Sequence, residues 1–300
     1  MIDIDKTIYK NVLNGDYDIR KGAVWEENPK DQIMIVKNIE MFEKVVTEYY
    51  GQVWVKDNIP FHKAGDINVN GVGYVGGIAG YIYMSNIDNV NITKSNVKAT
   101  GNYAGLLAGR ISDTANAQSY KASNISIIGT PTYTNGVITG SDTSVKGASE
   151  VGAIAGRSYV ADCYQAGKQD TTANNIVDGV YVSGIANNIG GAYGYHYTNA
   201  YRIIVRNSLI EGSSANARTN LGGIIGNDAY GGGYLTSKNN RIVTRNYSNV
   251  GGIYGTKSNS TVNYNYCENV TIEAQSTLST RGTNVGGAIG YSSYSSSAYC

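Results

Sequence analysis

The chain has only 2 Phe, 2 Trp, 2 His, 3 Pro and 3 Cys in 300 residues, and only 16% of it is charged. Each shortage excludes something. Three cysteines, Cys163, Cys267 and Cys300, are too few for a disulfide framework and read as small, buried, reduced side chains. A net charge of +1 with no dense run of Lys or Arg argues against nucleic acid as a partner, because neutralising phosphates takes clustered cations. No apolar run approaches the roughly 18 residues that a membrane-spanning helix needs. The opening MIDIDKTIYK lacks the core of a signal peptide, so an exported protein would have lost its signal or this chain is an excerpt. No H-E-x-x-H is present and His62 and His196 are far apart, so neither zinc-peptidase chemistry nor any cofactor is expected.

What the chain has instead is 38 Gly, 26 Tyr and a nearly ordinary apolar share of 41%, enough to bury a core and unlike a disordered composition. The glycines are organised. A hexapeptide recurs seven times, as Val75-Gly-Gly-Ile-Ala-Gly80, Ala104-Gly-Leu-Leu-Ala-Gly109, Val151-Gly-Ala-Ile-Ala-Gly156, Ile189-Gly-Gly-Ala-Tyr-Gly194, Leu221-Gly-Gly-Ile-Ile-Gly226, Val250-Gly-Gly-Ile-Tyr-Gly255 and Val285-Gly-Gly-Ala-Ile-Gly290. The final glycines are 29, 47, 38, 32, 29 and 35 residues apart, so the bare unit is about 29 residues and the excess is loop insertion. The second and sixth positions are glycine in every copy: Gly76 and Gly80, Gly105 and Gly109, Gly152 and Gly156, Gly190 and Gly194, Gly222 and Gly226, Gly251 and Gly255, Gly286 and Gly290. Fixed glycines beside apolar residues mean either close packing or a backbone conformation closed to other residues, and the sequence leaves both open. The fourth position is as apolar as the first, which strict alternation does not allow, so a bend or bulge is expected inside the motif.

Between motifs lie short β-like stretches such as Val90-Asn-Ile92, Ile203-Ile-Val205 and Val270-Thr-Ile272, set apart by Asn, Gly and Ser clusters. A unit of this length with two or three short strands suits one coil of a parallel β-solenoid (β-helix), in which each coil buries its apolar face only by stacking on its neighbours, roughly 4.8 Å away. The expected fold is all-β, with about seven to nine coils over residues 69–300. Asn188, Asn220, Asn249 and Asn284 each immediately precede a motif, and their amides are placed to hydrogen-bond along the stack. Residues 1–68 read as a small α/β cap: Met41, Phe42, Val45, Val46, Tyr49 and Tyr50 form the stripe of a helix over about 39–50, flanked by strand-like segments at 32–36 and 52–55. No comparable cap follows the last motif, so the polypeptide is expected either to continue beyond Cys300 or to associate end to end with another chain.

The motif resembles the GLUG repeat of bacterial surface proteins, roughly V-G-G-[IL]-[VAI]-G, and Ala161-Asp-Cys-Tyr-Gln-Ala-Gly167 is close to the stretch that often follows it. The resemblance covers residues 75–290. It implies an extracellular or bacterial cell-surface location and a structural or binding role, as in adhesin-like proteins. Such repeats also occur in the non-catalytic N-terminal regions of zinc metallopeptidases that cleave immunoglobulin A1. It supplies no catalytic residue.

Three candidate chemistries remain. Gly71-Val-Gly-Tyr-Val-Gly76 matches G-x-G-x-x-G, but the helix a dinucleotide fingerprint needs does not follow it. Asp113, Asp142, Glu150, Asp162, Asp170, Asp178, Glu211 and Asp228 read as scattered loop carboxylates with no pair recurring in register, leaving a polysaccharide-active enzyme as an alternative. Tyr81, Tyr83, Tyr195, Tyr197, Tyr230, Tyr234, Tyr291 and Tyr294 follow the motifs closely. Of these, Tyr81, Tyr195 and Tyr291 are the candidates to face a host protein, matrix protein or glycan, the alternative being ladder stacking that only stabilises the coils.

Overall fold

The structure, a computed structural model, describes residues 34–35, 53–54, 64–113, 120–165, 168–258, 262–277 and 283–293. The helix expected over 39–50, and Tyr294 and Cys300, lie outside the described residues. Of the N-terminal region, Met34–Ile35 pairs in parallel with Val53–Trp54. Among the described residues there is no helix, and the chain from Ala64 onward is a parallel β-solenoid of about six turns. The number is lower than the seven to nine expected because seven motif copies bracket only six repeats.

One turn shows the construction. Tyr193–His196 lies in a seven-stranded sheet containing one strand from each motif copy. The chain then enters an eleven-stranded sheet through Ala200–Tyr201 and Ile203–Arg206, and a second seven-stranded sheet through Leu209–Arg218. It returns by the two-residue strand Leu221–Gly222, where the next motif begins. Corners are turned by residues with left-handed backbones, and asparagine serves repeatedly: Asn207, Asn239 and Asn269 occupy one corner in successive coils at φ 51°, 53° and 51°. Asparagine tolerates this region better than other residues with a Cβ. The stacked amides also bond to each other, Asn239 Nδ2 donating to Asn207 Oδ1 at 3.2 Å and Asn269 Nδ2 to Asn239 Oδ1 at 3.3 Å. The ladder expected ahead of the motif is present, with Asn220 donating to Asn188, Asn249 to Asn220 and Asn284 to Asn249 at 2.8–2.9 Å.

The motif itself is a corner. Its first two residues end one strand, its third and fourth bend, and its fifth starts the next strand. The bend lets the first, fourth and fifth positions all point inward, so Ile189, Ala192 and Tyr193, or Leu221, Ile224 and Ile225, are fully buried. The fourth positions form a continuous backbone ladder: the amide of Ile78 donates to Leu107, Ile154 to Ala192, Ala192 to Ile224, Ile224 to Ile253 and Ile253 to Ala288 at 2.8–3.1 Å, and Ala108 donates to Ile154 at 3.1 Å. The motif glycines are a matter of close packing, because none of the fourteen has a positive φ. A Cβ on the second glycine would meet the carbonyl of the fifth motif residue, 2.0 Å away for Gly222 against Ile225. On the sixth glycine it would meet the neighbouring coil, as Gly255 would the Leu221 nitrogen at 2.5 Å.

Ser213 and Ser214 belong to the strand Leu209–Arg218, and Ser214 is buried and bonded to Arg218 and Asn246. Val72, 82% exposed, is a position where a substitution should cost little. Ile224→Asp is expected to lower unfolding stability by several kcal/mol by burying an unpaired charge, and Val72→Ser to change it by about 0.5 kcal/mol or less. Urea melts of the two variants check this, and equal midpoints would show that the motif is not core.

Candidate functional site: an outer tyrosine and arginine face over an inner charged column

Because the coils are in register, residues at the same distance from the final motif glycine form straight columns. The first residue after that glycine points outward. The column reads Tyr81, Arg110, Arg157, Tyr195, Asn227, Thr256, Tyr291. All three candidate tyrosines are thus in one column, but it does not bring them together: Asn227 and Thr256 separate Tyr291 from Tyr195. What gathers around Tyr81 and Tyr195 is a group the sequence reading did not assemble. Tyr74 stacks on Tyr103 with centroids 4.7 Å apart, and Tyr81 lies 6.0 Å from Tyr83. Arg110 sits over the rings of Tyr81 and Tyr159 at 5.5 and 5.1 Å, and Arg157 over Tyr103 and Tyr195 at 5.0 and 4.9 Å. Tyr197 closes the group against Tyr159 and Tyr195.

The two guanidiniums differ in their charge balance. Arg157 is held bidentately by Glu150, which raises its pKa against the cost of burial. Arg110 has no ion-pair partner among the described residues. Its Nη1 donates to the Tyr74 hydroxyl at 3.5 Å, and its Nε has no acceptor among the described residues. The face is therefore aromatic and partly exposed, and carries one cation with no carboxylate partner among the described residues. Arg110 and Arg157 were missed because the tyrosines were sought by residue type. Reading one fixed offset down the seven copies would have found both.

The second residue after the glycine points inward. That column reads Ile82, Ile111, Ser158, His196, Asp228, Lys257, Ser292, apolar in its first coils and charged in the later ones. The side chains of His196, Asp228 and Lys257 are fully buried, as is Asp162 from the adjoining strand Ala161–Asp162. His196 Nε2 is 2.8 Å from Asp162 Oδ2 and its Nδ1 is 3.8 Å from Asp228 Oδ1, while Lys257 Nζ is 3.0 Å from Asp228 Oδ2. Asp162 Oδ1 also accepts from Tyr193 at 2.5 Å and Asn175 at 2.6 Å. Asp162 and Asp228, expected in loops, are thus strand residues inside the solenoid. They were taken for loop residues because carboxylates are rarely buried unless paired, and their partners lie one coil away.

His196 Nδ1 is also 3.1 Å from the Thr198 carbonyl, which can only accept, so Nδ1 carries a proton, while Nε2 lies 2.8 Å from Asp162 Oδ2 without the alignment of a hydrogen bond. Burial alone would lower its pKa, but the nearby Asp162 and Asp228 carboxylates outweigh this and raise it to about 9. Burial also raises the Asp162 carboxyl, against the nearby His196 and bonds from Tyr193 and Asn175 that favour the ion. The column alternates acid, base, acid, base, and its charges cancel. Its side chains are buried, so its first effect is structural. One-coil slippage, which a repetitive fold otherwise permits, would bury these charges against the wrong neighbours.

Cys163 and Cys267 are unlinked, as expected. Cys163 is buried, and burial together with Asp162 and Asp170 pushes its thiol up to about 12. Cys267, expected to be buried, is only half-buried. Among the described residues, no group of three or more His, Cys, Asp and Glu is placed to hold a metal ion, and no helix is long and apolar enough to cross a membrane. The chain is therefore a parallel β-solenoid with an aromatic outer face and a charged internal column. Comparison with protein-family models, curated proteins and solved structures gives no match in any of the three.

Two measurements follow from the buried groups. His196 is expected to titrate near 9 by NMR, and Asp162→Asn to bring that value down. The folded-state value lies above the ordinary 6.5, so the stability tied to this proton is complete below about 6.5 and is lost as pH rises towards 9. Unchanged stability across that window would show that the pair does not hold the proton. Separately, the Cys163 thiol should resist a thiol reagent in the native protein and react on unfolding, with Cys267 reacting faster in the native state.

Proposed function

We propose that this chain is a non-enzymatic structural and binding region of a bacterial cell-surface or secreted protein, an adhesin-like stalk whose contact surface is the Tyr–Arg face. The observation that carries the reading is the cluster of Tyr74, Tyr81, Tyr103, Tyr159 and Tyr195 around Arg110 and Arg157, built on a rigid sheet, with Arg110 lacking a carboxylate partner among the described residues. Flat aromatic faces suit the apolar faces of sugar rings, and tyrosine gives large contact area at low entropic cost. An uncompensated guanidinium suits a carboxylate or sulfate through charge-assisted hydrogen bonds. The successive rungs are roughly 4.8 Å apart, comparable to one sugar unit along an extended chain. The ligand class supported best is thus an acidic glycan. The GLUG resemblance of the seven motifs supports the surface location.

Binding of uronate-containing and sulfated oligosaccharides to the full chain tests this. Arg110→Ala is expected to weaken binding about tenfold, equivalent to about 1.4 kcal/mol, and to reduce its salt dependence. Tyr266→Ala, at an exposed tyrosine outside this group, should leave binding unchanged. Absence of binding to any acidic glycan, or equal binding by the Arg110 variant, would overturn the reading.

A further inference from the structure

The geometry points to a self-modification inside the solenoid: Lys257 Nζ and the Asp228 side-chain carboxyl are placed to condense into an amide that joins successive coils covalently. The two residues are register partners on adjacent rungs, with Nζ 3.0 Å from Oδ2 and both side chains fully buried. Their surroundings are buried and include one aromatic ring. Tyr254 is completely buried, and Nζ lies 5.9 Å from its ring centroid. Holding nucleophile and electrophile in contact removes the entropic cost of bringing them together. The buried ion pair, whose desolvation is costly, is exchanged for a neutral amide.

The step balances without a co-reactant. The Lys257 ammonium passes one proton to Asp228 Oδ2, leaving an amine and a carboxylic acid. The Nζ lone pair attacks Cγ, a C–N bond forms, and the carbonyl electron pair moves onto Oδ1. That oxygen is 3.8 Å from His196 Nδ1, whose proton goes to the Thr198 carbonyl, so the ring favours the developing oxyanion by the proximity of its charge and not by a hydrogen bond. Nζ gives its second proton to the Oδ2 hydroxyl, the C–O bond breaks, and water leaves. Ammonium plus carboxylate becomes amide plus water, with no change of oxidation state. Asp162, whose Oδ2 lies 2.8 Å from His196 Nε2, is a positioning residue whose negative charge favours the charged ring. The molecule contains its own control. Lys238 Nζ and Glu268 Oε2 are 2.8 Å apart on neighbouring rungs, but their side chains are 41% and 33% exposed, so hydration keeps that pair ionic.

The test is peptide mapping and intact mass of the folded full chain, with no ligand added. Trypsin can cut after Lys238, Arg241 and Arg245, between the two residues, so only a cross-link can hold a peptide with Asp228 to one with Lys257. The expected result is that linked pair, lighter by one water than the sum of its peptides, and absent in Lys257→Met. Asp228→Asn should yield the same linked product with loss of ammonia instead of water. Asp162→Asn should slow its appearance, whereas a purely structural Asp162 would leave the rate in folded protein unchanged. Lys238 and Glu268 should be recovered unlinked. Recovery of the Asp228 and Lys257 peptides in linear form from folded wild-type protein, after days at neutral pH, would overturn the proposal whether or not the variants fold.

Discussion

The structure depends on how closely one stretch of backbone can approach another at the motif corner. The chain must turn a corner within six residues while its amides bond to the coil alongside, and this leaves no room for a Cβ at the second and sixth positions, nor at the third in Gly191, Gly223 and Gly252. At the second, a side chain would strike the chain's own carbonyl three residues on. At the sixth it would strike the neighbouring coil. Everything else follows from that tight corner. It lets the first, fourth and fifth residues all face inward, fixes the register of the seven-stranded sheet, and so fixes which outward and inward residues become neighbours. The Tyr–Arg face and the buried charges are both products of that register.

The two columns next to the motif show how one register serves opposite purposes. Outward, adjacent rungs bring Arg110 and Arg157 between tyrosines, Arg157 paired with Glu150 and Arg110 without a carboxylate partner among the described residues. Inward, one residue further along, the same spacing sets His196, Asp228 and Lys257 against each other away from water. Exposed ion pairs contribute little, whereas a buried charge without its partner costs several kcal/mol. The inner column therefore discriminates sharply between the right neighbour and the wrong one. Repetitive apolar coils such as those carrying Ile82 and Ile111 cannot do this, since each would fit the next equally well.

The fold was legible in the sequence because its determinant recurs. Seven glycine pairs at a drifting but bounded spacing point to stacked coils, and the apolar fourth position already signalled the bend within the motif. The asparagine ladder was legible for the same reason, one residue type repeating at one offset. The charged column was not, because its offset carries Ile, Ile, Ser, His, Asp, Lys and Ser in turn. Complementarity, unlike repetition, places different residues at equivalent positions, so a search for recurring pairs passes over it. Asp162 is harder still, since it lies in the eleven-stranded sheet and meets His196, in a seven-stranded one, only because the fold brings the two sheets together at that coil. Tyr81 and Tyr195 were found by type, but the arginines that give the face its charge were not.

The insertion between the second and third motifs has a wider consequence. There the unit lengthens to 47 residues, and part of the excess is an antiparallel hairpin, Pro131–Thr134 with Val137–Ser141, that stands outside the parallel ladder. The axial advance of that coil is still a single rung. Length along the axis therefore counts coils and ignores residues, so the chain behaves as a ruler whose graduations stay even while the text between them varies. Adding or deleting one whole unit would move the Tyr–Arg face by one graduation relative to anything anchored further along the chain. Adding the same number of residues to a loop would not move it at all.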